Sequence, residues 1–340
     1  MYKIKKADLG ALFARIAQTR ELYLPVKAAG KTNYAAWDEN AQVDLDTLKT
    51  VRSPKDAFFP QSENLYSCYR EDGKLKIRAE ELQSAPFVVF GMKACDVRGI
   101  DVLDKVFLSE PVDSYYAARR QHGTIVSLAC HAPETSCFCK VFGIDCAAPQ
   151  GDVVTWLVGE ELYWQPQTDK GNALTELVAD LLTQCDAAAV ETEQSAIRAI
   201  VEKLPYSNLS LDNWGAEAAQ KNFDSPIWEQ LYKPCLACGT CTFVCPTCQC
   251  YDIKDYNTGN GVQRYRCWDS CMYSDFTMMA HGNNRNSQMQ RFRQRFMHKL
   301  AYFPANNDGM FSCVGCGRCV DKCPSHLNIV KVIKAFGKEA

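Results

Sequence analysis

Two runs of cysteine constrain this chain more than anything else in it. Cys235-Leu-Ala-Cys238-Gly-Thr-Cys241-Thr-Phe-Val-Cys245-Pro246 returns as Cys313-Val-Gly-Cys316-Gly-Arg-Cys319-Val-Asp-Lys-Cys323-Pro324, down to the glycine after the second cysteine and the proline after the fourth. Three cysteines so spaced can wrap three corners of a cubane of four irons and four sulfides from one tight loop. Gly239 and Gly317 suit a backbone that bends sharply against such a group. In two-cluster proteins the fourth cysteine of each run ligates the other cluster. The spacing therefore predicts one 4Fe-4S site from Cys235, Cys238, Cys241 and Cys323, and a second from Cys313, Cys316, Cys319 and Cys245. Pro246 and Pro324 redirect the chain after the fourth ligand.

Other uses of cysteine fit less well. Zinc takes four ligands, usually as two separated pairs and not as a run of three followed by Cys-Pro. Cys241, Cys245 and Cys248 also spell the C-x3-C-x2-C of radical S-adenosylmethionine enzymes, but the two runs already account for two of the three and no barrel repeat surrounds them. An odd total of 19 cysteines argues against a disulfide framework. The stretch from Met1 to Ile16 reads as an amphipathic helix without a cleavage signal, so the chain is expected in the cytoplasm, and so many thiols suit an anaerobe. A net charge of −2 offers no basic surface for nucleic acid or an anionic membrane. No apolar stretch approaches the roughly 18 residues of a membrane span.

A chain of 340 residues suggests two domains. We expect an α/β N-terminal domain with a partly parallel sheet over 1–222, and a mainly α-helical, dicluster ferredoxin-like domain over 223–340. Leu9 to Gln18 reads as a helix with Asp8 as its cap. Phe87 to Lys93 is a continuous apolar run of the kind found in buried parallel strands. From Asp96, the residues Val97, Ile100, Leu103, Val106 and Phe107 fall at helical spacing, and Thr124 to Ala129 reads as the next strand. Strand, helix, strand implies a right-handed parallel crossover. Cys95 and Cys130 then sit just beyond the carboxyl ends of parallel strands, where open α/β sheets gather ligands. With Cys137 and Cys139 from the following loop, four thiols can meet there and hold a third 4Fe-4S cluster. The competing reading is that they are small side chains filling the sheet edge. Cys146 is near enough in sequence to substitute, and His131 reads as a polar loop residue. Residues 152–167 form a hairpin turning at Gly159-Glu160, followed by helices at 173–185 and 192–204. Cys68, on a strand near Tyr66 to Tyr69, and Cys185 receive no role.

Between the two runs lie Cys248, Cys250, Cys267 and Cys271, which fit either a further cluster or zinc, or buried thiols shielding the neighbouring sites. Trp268 to His281 reads as a helix that places Cys267 and Cys271 on one face. A second helix starts at Ser287, with Met289, Phe292 and Phe296 inward and Arg291, Arg295, His298 and Lys299 outward. That basic face reads as solvated, or as a docking surface for an acidic partner. Arg318, Asp321 and Lys322 set the second cysteine loop nearer the surface than the first, so electrons are expected to leave there.

These residues resemble a known family: the iron–sulfur beta subunit of soluble sulfhydrogenases and its iron–sulfur counterpart in anaerobic sulfite reductase, with related subunits of flavin oxidoreductase complexes linked to heterodisulfide reductase. The resemblance is carried by Gly91 to Phe107, Tyr115 to Arg120, Cys130 to Cys139, Pro234 to Asp252, Trp268 to Cys271 and Cys313 to Pro324. Cys146 and Cys267 fall outside its pattern. It implies a carrier of electrons that joins a flavin- and NAD(P)H-binding reductase subunit to a catalytic redox subunit of hydrogenase, sulfite reductase or heterodisulfide reductase type, or to a ferredoxin-type carrier. The sequence has no G-x-G-x-x-G after a strand and no P-loop, so no flavin or nicotinamide is expected on this chain. Two other readings stand beside the relay. One is an iron–sulfur reductase acting on its own substrate through the N-terminal domain; the other is a protein whose clusters serve structure or redox sensing.

Overall fold

The computed structural model describes residues 1–337. The first half runs β1 (Tyr2–Lys5), α1 (Leu9–Ala17), β2 (Glu21–Ala28), β3 (Lys31–Ala36), β4 (Ser62–Glu71), β5 (Lys74–Ala79), β6 (Phe87–Met92), α2 (Ala94–Phe107), α3 (Ser114–His122), β7 (Gly123–Leu128), β8 (Val153–Val158), β9 (Glu161–Pro166), α4 (Asp169–Leu177), β10 (Thr183–Gln184) and α5 (Ala188–Glu202). The second half adds β11 (Tyr251–Asn257), β12 (Gly261–Trp268), β13 (Met278–Met279), β14 (Gly282–Asn283), α6 (Gln288–Met297) and α7 (Ile329–Phe336), joined by helical turns too short to number.

The main sheet is mixed, in the order β10-β1-β9-β8-β7-β6-β2-β3. Its centre is the expected crossover: β6 and β7 pair in parallel, Val88 opposite Thr124, with β2 and β8 parallel on either side. Both central strands are buried from end to end. They are apolar on both faces because helices cover both. Val88 and Phe90 pack with Leu12, Phe13 and Ile16 of α1, while Phe87 and Val89 pack with Val97, Ile100 and Leu103 of α2. Asp8 makes no capping hydrogen bond to α1. The expected hairpin is β8–β9, with Leu157 opposite Leu162. The helix expected over 173–185 is replaced by α4, a 3₁₀ turn and β10, which pairs with β1.

A smaller antiparallel sheet, β11-β12-β4-β5, joins the two halves of the chain. Strand β12 pairs with β4 across almost two hundred residues of sequence, Val262 opposite Cys68. A division at residue 222 therefore runs through a shared sheet. Inside it, Arg266 is 3% exposed, its Nη2 lying 2.6 Å from Glu63, and its Nη1 pairs with Asp113 at the start of α3. The expected helix over 268–281 does not form: β12 ends at Trp268, a 3₁₀ turn covers Asp275–Thr277, and β13 and β14 follow as a hairpin. The second expected helix is α6, closed at its start by a capping box between Ser287 and Gln290. No helix among the described residues is long and apolar enough to cross a membrane.

Candidate metal centre

The first cysteine run folds around a cavity lined by Cys235, Cys238, Cys241 and Cys323, walled by Met272, Phe292, Phe296 and Leu327. The four thiols expected to share a site from both runs thus line one apolar cavity. Gly239 and Gly317 each have positive φ, +71° and +76°, and each starts a helical turn that turns the third cysteine of its run toward the others. Backbone N–H groups point at sulfur: Ala237 donates to Cys235 Sγ at 3.4 Å and Leu327 to Cys323 Sγ at 3.2 Å. Such bonds stabilise a thiolate and tune a bound cluster.

In the second run Cys313, Cys316 and Cys319 gather with Cys245, which is a charged neighbour of all three. Burial pushes the thiols of Cys241 and Cys313 up to about 12, so metal binding there must displace protons. All nineteen cysteines are free thiols. Among the described residues, no three His, Cys, Asp or Glu side chains stand close enough to share a single metal ion. A cubane presents four separate iron corners, so its ligands stand further apart than those of one ion.

At the carboxyl ends of the central parallel strands β6 and β7 the expected thiols also meet. Cys95 lies in the first turn of α2, Cys130 follows β7, and Cys137 and Cys139 come from the loop beyond; Cys130, Cys137 and Cys139 are buried in one cluster. Cys146 joins them in the same cluster, and its backbone C=O accepts from Cys130 N–H at 3.0 Å. The structure thus brings five thiols together. Beside them Lys93 is 5% exposed, and its ammonium has no hydrogen-bond partner. Burial lowers its pKa, opposed by Cys130 and Cys95. An orphaned buried donor beside a nest of thiols fits an anionic group held among them. His131 has Lys93 and Asp46 as its charged neighbours.

The second run rests directly on this nest. Phe138 N–H donates to Gly315 C=O at 2.9 Å, and Gly317 approaches Ser136 so closely that a Cβ there would lie 2.5 Å from its carbonyl oxygen. Arg318 forms a two-pronged ion pair with Asp96 on α2 at 2.7 and 2.8 Å, the two side chains 2% and 1% exposed. Cys95 and Cys316 are neighbours across this joint.

Two expectations reverse. The second loop is the buried one, and the first reaches the surface: Leu236 is 69% exposed and Cys238 is exposed, whereas Cys313 and Cys316 are buried. A buried carboxylate partner hides the charge of Arg318. The basic face of α6 is not solvated either, because Arg295 and Lys299 turn inward. Burial alone would lower the pKa of Lys299, yet it is raised, with Cys245, Cys248 and Cys313 holding the proton.

The cysteines between the runs separate. Cys250 lies beside Cys271, and Cys248 beside Cys245. Cys267 stands apart on β12, opposite Asp252 and near Lys254. Lys55, which no sequence motif marks, anchors this region, donating to Cys248 C=O at 2.6 Å beneath the Trp268 ring. Nothing in the sequence distinguishes Lys55, Lys93, Arg295 or Lys299 from solvated residues; a buried cation is recognisable only once its anion is placed.

Residues 234–327 match the family model of the 4Fe-4S dicluster domain. The chain is 32% identical over 340 aligned residues to the sulfhydrogenase 2 subunit beta of Pyrococcus furiosus, covering 94% of this chain and 93% of that one. No solved structure gives a significant match. With this likeness along nearly its whole length and a dicluster domain at its C-terminal end, the chain belongs to the family of sulfhydrogenase beta subunits.

Proposed function

We propose that this chain is an electron relay holding three 4Fe-4S clusters in line. In this reading 1–222 carries the outer site, with Cys95, Cys130, Cys137 and Cys139 as ligands. Residues 223–340 carry the middle site, Cys313, Cys316, Cys319 and Cys245, and the far site, Cys235, Cys238, Cys241 and Cys323. The observation that carries the order is contact: the sheet-edge thiols abut the Gly315–Gly317 turn, and Cys319 of the middle set is a neighbour of Cys241 in the far set. Single electrons pass between such centres without bonds forming or breaking, which agrees with a site built from thiols, backbone donors and apolar walls. Cys146 is a fifth thiol at the outer site and could replace one of the four ligands. Cys248, Cys250 and Cys271 pack beside the middle and far sites and shield them.

The relay connects a flavin- and NAD(P)H-binding reductase subunit to a catalytic redox subunit or ferredoxin-type carrier, in the cytoplasm of an anaerobe. The relative's name places it in a sulfhydrogenase, so a hydrogen-converting partner leads among catalytic subunits. Electrons cross to the partner at the far site, where Leu236 and Cys238 reach solvent. Replacing Leu236 by Glu at this apolar contact should slow electron exchange with the redox partner about tenfold, as for a residue worth about 1.4 kcal/mol to docking. Iron content should stay unchanged. Stopped-flow reduction at matched iron content checks this, and an unaltered rate would place the crossing elsewhere.

A further inference from the structure

Arg295 and Lys299 lie one helical turn apart, where α6 passes into a π-turn at His298–Tyr302. They are 3% and 4% exposed. Lys299 Nζ donates to Thr247 Oγ1 at 2.7 Å and Ser312 C=O at 3.3 Å; Arg295 Nη2 donates to Cys241 C=O at 3.4 Å, and its Nε has no partner. Among the described residues no aspartate or glutamate forms an ion pair with either. Arg295 lines the cavity of the first run, and the groups nearest the two cations that could carry negative charge are cysteines: Cys241, Cys319, Cys248 and Cys245 for Arg295, and Cys245, Cys248 and Cys313 for Lys299.

Burying one cation without a counter-charge is strongly unfavourable, and two side by side also repel each other. An arginine cannot escape by losing its proton. The negative charge that balances this pair must therefore come from the cysteine sites between which it lies. Arg295 stands between the two sets, with Cys241 in one and Cys319 in the other, while Lys299 addresses Cys245 and Cys313 of the middle set.

We propose that Arg295 and Lys299 are the built-in counter-charges of the two repeat sites and set their reduction potentials, Arg295 raising both and Lys299 raising mainly the middle one. This rests on the reading that both sets hold 4Fe-4S clusters. On reduction one electron arrives from a neighbouring centre or an added reductant and makes the cluster more negative by one charge. No proton moves and no bond breaks, and a fixed cation nearby favours the reduced form. The middle site, facing two cations, is the more easily reduced of the pair.

The test is a redox titration of the whole chain, purified anaerobically, followed by electron paramagnetic resonance. Cys238→Ser assigns the signal of the far site. In Lys299→Met the ratio of reduced to oxidised middle cluster at fixed poise should fall about tenfold, equivalent to about 59 mV for one electron. The far site should move less. Arg295→Met should lower both, and Lys299→Arg should restore the original values. Unmoved potentials in both methionine variants with iron intact overturn the proposal. Should the methionine variants lose iron, retention in Lys299→Arg and Arg295→Lys supports it, and loss in all four overturns it by making the role one of packing. A lack of iron at these cysteines in the unaltered protein would instead defeat the underlying reading.

Discussion

Replacing Asp96 by Asn should lower the stability of the protein by about 3–5 kcal/mol, the usual cost of leaving one member of a buried ion pair without its partner. The substitution is nearly isosteric, so the loss reports charge and not volume. Arg318 keeps its bonds from Nε to Thr50 C=O at 3.1 Å and from Nη2 to Thr50 Oγ1 at 3.3 Å, but no carboxylate remains to offset a guanidinium that is 2% exposed. The damage should be greatest where the ion pair sits, between Cys95 on α2 and Cys316 on the second cysteine loop. Chemical denaturation under anaerobic conditions, comparing midpoints at equal iron content, measures it. A change below about 1 kcal/mol would mean that the pair is solvated in solution, since exposed ion pairs contribute no more than that.

The second large effect is expected from Gly317→Ala. A methyl group there meets Ser136 C=O at 2.5 Å and Ser136 C at 2.8 Å, both backbone atoms that cannot swing aside, and φ is +76°. Overpacking costs about 1–3 kcal/mol and the left-handed conformation about 1–2 kcal/mol more. The loop bearing Cys137 and Cys139 must shift, which on the proposed relay widens the gap between the outer and middle sites. Electron transfer between them should slow by an order of magnitude or more, while the far site, on the other side of the turn, keeps its spectrum. Flash reduction with site-resolved spectra separates the two. Equal loss of signal at all sites would show a folding defect and not an opened joint.

How legible this protein is in its sequence depends on where each interaction partner lies. That Cys235, Cys238, Cys241 and Cys323 come together is readable because three of the four lie in one loop and the repeat points to the fourth. The β6–α2–β7 crossover is readable because helices cover both sheet faces, leaving β6 apolar throughout and β7 mostly so. The strands β11 and β12 are not: most of β11 faces solvent, so it lacks an apolar period, and the partner strand β4 lies almost two hundred residues away. Trp268-Asp-Ser-Cys271 consequently reads as the start of a helix. Charge misleads in a second way. Arg318, Arg295 and Lys299 look like surface residues until Asp96 and the cysteine sites are set beside them, and this reverses both the expected exposure of the two loops and the expected role of α6.

A third redox centre among the sheet-edge thiols, continuous with the repeat sites, is what would make this chain a three-centre relay. The direct measurement is an iron and acid-labile sulfide count on the anaerobically purified chain, beside the same count for the double variant Cys130→Ser, Cys146→Ser. Three cubanes predict about twelve irons and twelve sulfides per chain, falling toward eight in the variant, with the magnetic interaction between the reduced outer and middle centres lost at the same time. About eight irons in both proteins would contradict it, leaving Cys95, Cys130, Cys137 and Cys139 as buried side chains at the edge of a sheet.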